Sequence, residues 1–178
     1  MRFETLPLAG AKLVHGEPII DDRGYFERIL CAETFGLHDM IATFPHINIS
    51  SNRVAGTRRG LHFQREPYAE AKLIRCIAGK AFDVIVDLRK ESATFGRCFA
   101  TYLSAANHLS LYVPKGFAHG FQTLVDDTSL LYCISTPYSP SAASGISAVD
   151  PSLEIEWPAH PSMMSEADTR WPRLAELE

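Results

Sequence analysis

Two neighbouring stretches of strict two-residue alternation constrain the fold more than any other feature of this chain. Leu73, Arg75 and Ile77 alternate with Lys72, Ile74 and Cys76. In the run from Ala81 to Leu88, Phe82, Val84, Val86 and Leu88 share one face, and Asp83, Ile85 and Asp87 take the other. This period belongs to β-strands, whose successive side chains point to opposite faces. Ala78-Gly79-Lys80 supplies a turn between the two. Further strands are expected at Tyr25–Leu30, His46–Ser50, Arg58–Gln64, Arg97–Leu103, Leu109–Val113, Gly120–Leu124 and Ser129–Ile134. Turn signals at Ser104–Asn107, Pro114-Lys115-Gly116 and Asp126-Asp127 separate them. Many short strands at this spacing predict an all-β sandwich or closed barrel. Helix is expected only at Cys31–Phe35 and Pro161–Ala167, and the polar, proline-rich segment after Trp157 is expected to wrap the surface.

The chain has 178 residues, 46% hydrophobic and 21% charged, enough apolar material for a core. With no repeat and no long linker, residues 1–178 are expected to form a single domain. A net charge of -4 and the lack of a long basic run argue against nucleic acid as a partner. An anion would have to be held by local arginines. No apolar run approaches the ~20 residues that span a bilayer, so no membrane partner is expected. No apolar signal core follows Met1-Arg2-Phe3-Glu4. Cys31, Cys76, Cys98 and Cys133 show no CxxC spacing and read as buried free thiols in a reducing compartment, so cytoplasm is the expectation.

The candidate chemistry begins at Arg58-Arg59-Gly60-Leu61-His62-Phe63-Gln64. A buffered base beside a fixed cation suits proton abstraction from an anionic substrate, although a histidine in a strand is more often structural. A metal site is the first alternative. Gln64, two residues after His62, is a poor ligand, and no HxH or HxxxH pair occurs. His62 and His119 alone do not make a divalent site, so no metal is expected. An acid opposite His62 would complete an inversion. Tyr132, in mid-strand, is a candidate because a phenol stays protonated at neutral pH; the competing reading is a core tyrosine. Lys72, on an inward position, could stabilise an enolate oxygen, or could be an edge lysine with its head in water.

Several segments together resemble the dTDP-4-dehydrorhamnose 3,5-epimerase family. They are Asp22-Arg23-Gly24-Tyr25-Phe26, Asn48-Ile49-Ser50, Arg59–Gln64, Lys72–Arg75, Phe82-Asp83-Val84, Val86–Arg89, Thr94-Phe95-Gly96, Leu103-Ser104, Pro114–Phe121, Tyr132, Asp150-Pro151 and Trp157-Pro158. The likeness spans roughly Leu13 to Asp168. It implies a cupin-type jelly roll and a homodimer that exchanges N-terminal strands. It also implies a nucleotide-diphosphate-linked 4-keto-6-deoxy sugar as substrate, epimerised at C3, C5 or both. His62 would be the base, Tyr132 the acid, Lys72 the enolate stabiliser and Asp168 the partner of His62. Arg23 and Arg59 would hold the diphosphate. His119, Asn48 and Gln64 would line sugar or phosphate subsites, and Tyr138 would stack on sugar or base. No cofactor is implied, because the substrate ketone itself acidifies the neighbouring C–H bonds.

The chain departs from the family pattern at Tyr25-Phe26-Glu27-Arg28, where the glutamate comes one residue early and an arginine follows. A one-residue slip in a strand reverses the face. Glu27 is therefore expected to point away from the nucleotide and Arg28 toward it. His46 and Ala167 replace a glutamine and a lysine of the pattern, and Arg58 replaces an apolar residue. These differences raise the expectation of a nucleotide other than dTDP, CDP or GDP among them. Alternation turns Arg58 from the face of Arg59, which leaves phosphate binding to Arg59 alone. Competing readings are a 3-epimerase or keto-isomerase on a related sugar nucleotide, a non-catalytic sugar-nucleotide-binding cupin, and a metal-dependent cupin oxygenase.

Overall fold

The short alternating segments become thirteen strands among the described residues, 1–177, of a computed structural model. They are β1 (Arg2–Thr5), β2 (Lys12–His15), β3 (Ile19–Asp21), β4 (Gly24–Phe26), β5 (His46–Asn52), β6 (Arg58–Gln64), β7 (Lys72–Ala78), β8 (Lys80–Asp87), β9 (Cys98–Ser104), β10 (Leu109–Val113), β11 (Phe117–Thr123), β12 (Thr128–Ile134) and β13 (Ala143–Gly145). A short helix, α1 (Ala32–Gly36), lies between β4 and β5. The strands form a six-stranded sheet, β1-β2-β10-β7-β12-β5, and a five-stranded sheet, β13-β6-β11-β8-β9, with β3-β4 as a separate hairpin. Every pairing between these strands is antiparallel. The architecture is an all-β, cupin-type jelly-roll sandwich.

Alternation sorts the core. Ile74 and Cys76 on β7, Ile85 on β8, Leu111 and Val113 on β10, Phe121 on β11 and Leu130 on β12 meet between the sheets. Each large apolar side chain removed from water there contributes about 1.5–3 kcal/mol. The opposite faces are covered as well. Leu73, Tyr112 and Cys133 pack under Phe35 and Met40 from the α1 region. Phe82, Val84 and Val86 pack under Ile146, Leu153 and Trp157 from the C-terminal segment. Arg58 pins that segment. Its guanidinium lies 4.2 Å over the Trp157 ring and donates to the Ala159 carbonyl at 2.9 Å. Burial among these groups lowers its pKa to about 10.

Several expectations change. β7 and β8 do not pair: Gly79, at φ +73, carries the chain from one sheet to the other beside Thr128. The strand expected over 25–30 stops at Phe26. No helix forms over 161–167, because Met163 bridges to Thr57 and its carbonyl accepts from the Arg58 amide. That contact draws the segment out along β6, and only a turn over 166–169 follows. All four cysteines are free, but Cys31 and Cys98 are only half-buried.

Candidate active site

The site depends on an irregularity in β6. His62 pairs with His119 and Arg59 with Phe121, so three steps along β6 match two along β11. The extra residue is a β-bulge at Gly60-Leu61. Plain alternation would turn Arg59 and His62 to opposite faces. The bulge brings both to the inner face and leaves Arg58 and Leu61 outside. Gly60 is required there: its φ is +116, and a Cβ would lie 2.5 Å from the Gly120 Cα.

The inner faces enclose a cavity of about 440 Å³. Arg59, His62 and Gln64 reach it from β6, Lys72 from β7, His119 from β11 and Tyr132 from β12. Glu70, Tyr138 and Trp171 complete the wall from loops.

Asp168 stands behind His62, with its Oδ1 2.5 Å from His62 Nε2. The same oxygen accepts from Trp171 Nε1 at 3.1 Å. Burial acts to raise the Asp168 pKa, but hydrogen bonds from His62, Trp171 and Ser165 outweigh it and hold the carboxyl below its usual range. The pairing leaves the other ring nitrogen of His62, Nδ1, as the proton acceptor. Lys72 Nζ donates to the His62 carbonyl and forms an ion pair with Glu70, both at 3.1 Å. Its third N–H leaves capacity for another oxygen.

Tyr132 is half-buried in the wall, its ring 5.6 Å from that of His119. Burial raises its pKa well above 10, with the Asp83 charge adding and Arg59 opposing, so it remains a proton donor through neutral pH. His119 forms a second histidine–carboxylate pair, with Asp83 at 2.9 Å. Its burial pushes its pKa down against the pull of Asp83. Arg59 is exposed at the mouth and is oriented by Asn52, which accepts from its Nε at 2.8 Å. The arrangement can hold an anion at the mouth and exchange a proton inside.

The remaining expected site residues divide between the cavity wall and positions outside it. Gln64 lines the cavity, but its amide is occupied by the Tyr68 carbonyl and the Ser139 N–H. Asn48 pairs with Tyr132 in register and is exposed beyond the lining. Arg23 lies on the β3-β4 turn, paired with Asp21 outside the cavity. Within its own protomer, Arg28 borders a separate hollow with Met1, Glu17 and Phe26. Glu27 does not line the cavity either. Arg75 and His108 on the outer face of the six-stranded sheet hold its carboxylate at 2.5 and 2.8 Å. These two contacts hold the end of β4 on that outer side, and Arg28 follows it away from this protomer's cavity. Glu70, Asp83 and Trp171 escaped the sequence reading. Asp83 sat in an inward register position that alternation had already marked, whereas the other two lie on loops, where no periodicity exists.

Among the described residues no three histidine, cysteine, aspartate or glutamate side chains come together as a metal-ligand group. No helix of the described residues is long and apolar enough to cross a membrane.

The sequence model for dTDP-4-dehydrorhamnose 3,5-epimerase matches residues 5–176. The enzyme of that name from Sinorhizobium fredii is 40% identical over 178 residues, which cover 99% of this chain and 91% of the relative. The crystal structure of dTDP-4-dehydrorhamnose 3,5-epimerase from Bacillus anthracis with TDP and PPi bound superposes with a TM-score of 0.94 at 40% identity, covering 97% of this chain and 98% of the other. ChmJ, a 3'-monoepimerase from Streptomyces bikiniensis in complex with dTDP-quinovose, gives 0.89 at 30% identity over 96% and 86%. Matched by the family model over residues 5–176, the chain belongs to the dTDP-4-dehydrorhamnose 3,5-epimerase family.

Proposed function

We propose that this protein epimerises a dTDP-linked 4-keto-6-deoxyhexose at the carbons flanking the ketone. His62 removes the acidified proton from carbon, and the electron pair moves into an enolate whose oxygen Lys72 stabilises. Tyr132 delivers a proton to the opposite face, and Asp168 supports the imidazolium that His62 becomes. Arg59 takes the diphosphate at the mouth, where a forked donor suits two phosphate oxygens. The observation that carries this reading is the convergence of His62, Lys72 and Tyr132 from three strands on one cavity, with Asp168 behind the base. The likeness to enzymes solved with TDP and with dTDP-quinovose supports dTDP over another nucleotide.

The test is incubation with dTDP-, CDP- and GDP-linked 4-keto-6-deoxy sugars in heavy water, followed by NMR at C3 and C5. Deuterium at both carbons of the dTDP sugar with inverted configuration is expected. Preference for another nucleotide, or no exchange, overturns the reading. Deuterium confined to C3 favours the 3-epimerase alternative, which the likeness to a 3'-monoepimerase supports.

The working unit in this proposal is a cytoplasmic homodimer, consistent with four unpaired cysteines. Ile19, Ile20, Tyr25 and Phe26 on the β3-β4 hairpin and Ile47 and Ile49 on the edge strand β5 are all more than half exposed. Apolar hairpin and edge positions of this kind suit exchange with a second copy. Exchange would also let Arg23 approach the partner's cavity. Sedimentation as a monomer at micromolar concentration would sink the dimer.

A further inference from the structure

Trp171 lies in the C-terminal segment, and its indole lines the cavity beside the base. The ring meets that of His62 edge-on, with centroids 6.2 Å apart and planes at 74°. It covers Gly145, the residue of β13 that pairs with His62 in register. A Cβ at position 145 would come within 2.6 Å of the indole, so this glycine leaves the ring its place. The next residue is tied down as well, since the Pro172 carbonyl accepts from the Ser147 amide at 2.7 Å. Among the described residues Trp171 joins none of the three buried apolar clusters, whereas Trp157 packs against one of them. Core packing therefore does not account for the way this side chain is held.

We propose that Trp171 is a positioning residue that holds Asp168 in line with His62, so that the counter-charge stays in place while the base removes its proton. This role rests on the epimerase reading above. A carboxylate that orients an imidazole must itself be oriented by other donors. Trp171 Nε1 donates at 3.1 Å to Asp168 Oδ1, the oxygen that also meets His62 Nε2. The Gly60 amide reaches the other oxygen, Oδ2, only at 3.5 Å, which is a weak contact. An indole has one N–H in one direction. With the ring seated on Gly145, that direction sets where Oδ1 stands. Losing such support loosens the geometry on which proton transfer depends.

Trp171→Phe keeps a ring over Gly145 and removes the donor. The measurement is kcat and KM for deuterium exchange at C3 and C5 of a dTDP-linked 4-keto-6-deoxy sugar. The kcat is expected to fall about 5- to 15-fold, the size of one hydrogen bond, with KM within about threefold. The deciding comparison is a double-mutant cycle with Asp168→Ala, which leaves no carboxylate to hold. In that background Trp171→Phe is expected to change kcat by less than about twofold. Melting curves establish that each variant is folded; if Asp168→Ala is not, Asp168→Asn takes its place, with a change of less than about threefold expected. Losses that multiply mean that the indole acts through contacts of its own, and they overturn the role. A Trp171→Phe kcat within about twofold of wild type, or a loss confined to KM, overturns it as well. A wild type that exchanges no 4-keto sugar overturns the epimerase reading and this role with it, an outcome distinct from the others.

Discussion

Asp168→Asn separates the base from its support without emptying the site. The Asp168 side chain is 4% exposed, its Oδ1 is 2.5 Å from His62 Nε2, and it does not line the cavity. Substrate contacts are therefore untouched by the change, whereas the imidazolium formed as the proton leaves carbon loses its counter-charge. Two unit charges about 4 Å apart attract by about 4 kcal/mol at an effective dielectric of 20. His62 is 45% exposed on its cavity side, and water there screens part of this. A loss of about 2–3 kcal/mol in the transition state remains, equivalent to about 30- to 150-fold in kcat. The assay is steady-state kinetics with deuterium exchange at C3 and C5, beside a melting curve to confirm the fold. KM is expected to stay within about threefold, since the interaction strengthens only in the transition state. A kcat within about threefold of wild type, or a loss confined to KM, refutes the role given to Asp168.

Tyr132→Phe should still wash deuterium into recovered substrate while inverted product falls by about 10²-fold or more, because His62 can return a proton only to the face it came from; undiminished epimerisation removes Tyr132 as the acid. In the wild type, no loss of rate from tyrosine ionisation should appear up to about pH 10, since burial holds the Tyr132 pKa above that value. Asp87 is pulled to a pKa of about 2, where hydrogen bonds from Arg89, Ser92 and Thr94 outweigh the effect of burial. A folded pKa below the ordinary 3.8 means stabilisation that is full above pH 4 and lost as pH falls toward 2. Denaturant titrations should show about 2 kcal/mol of this loss in the wild type and none of it in Asp87→Asn; parallel pH slopes would contradict the assignment. Gly60→Ala drives a Cβ into the Gly120 backbone and should cost about 3 kcal/mol, a fall of about 10 °C in Tm, with activity lost as Arg59 and His62 separate. An unchanged Tm and rate would mean that the bulge is not rigid.

Sequence periodicity carried most of the fold because both sheets obey it. Lys72, Ile74 and Cys76 do share a face, and so do Phe82, Val84 and Val86. Alternation could not say that β7 and β8 belong to different sheets, since a hairpin and a sheet-crossing corner use the same turn residues around Gly79. It also failed at β6, where one inserted residue reverses the faces and the close approach to β11 requires glycine at position 60. The residues that form the cavity came largely from the family likeness rather than from spacing. Strand parity could not fix the direction of Arg28, because the strand ends at Phe26. Glu70 and Trp171 were illegible because their positions are set by packing between distant segments, which leaves no local pattern.

The C-terminal segment covers one sheet and also delivers Asp168 and Trp171 to a histidine 106 residues upstream of that aspartate. On a chain emerging from the ribosome, His62, Lys72 and Tyr132 are all present before either of these exists. The nascent chain can thus close its strands around a base that still lacks its counter-ion. The same segment that shields the last apolar sheet face carries the carboxylate behind His62, so its docking joins the last step of core packing to the assembly of the site.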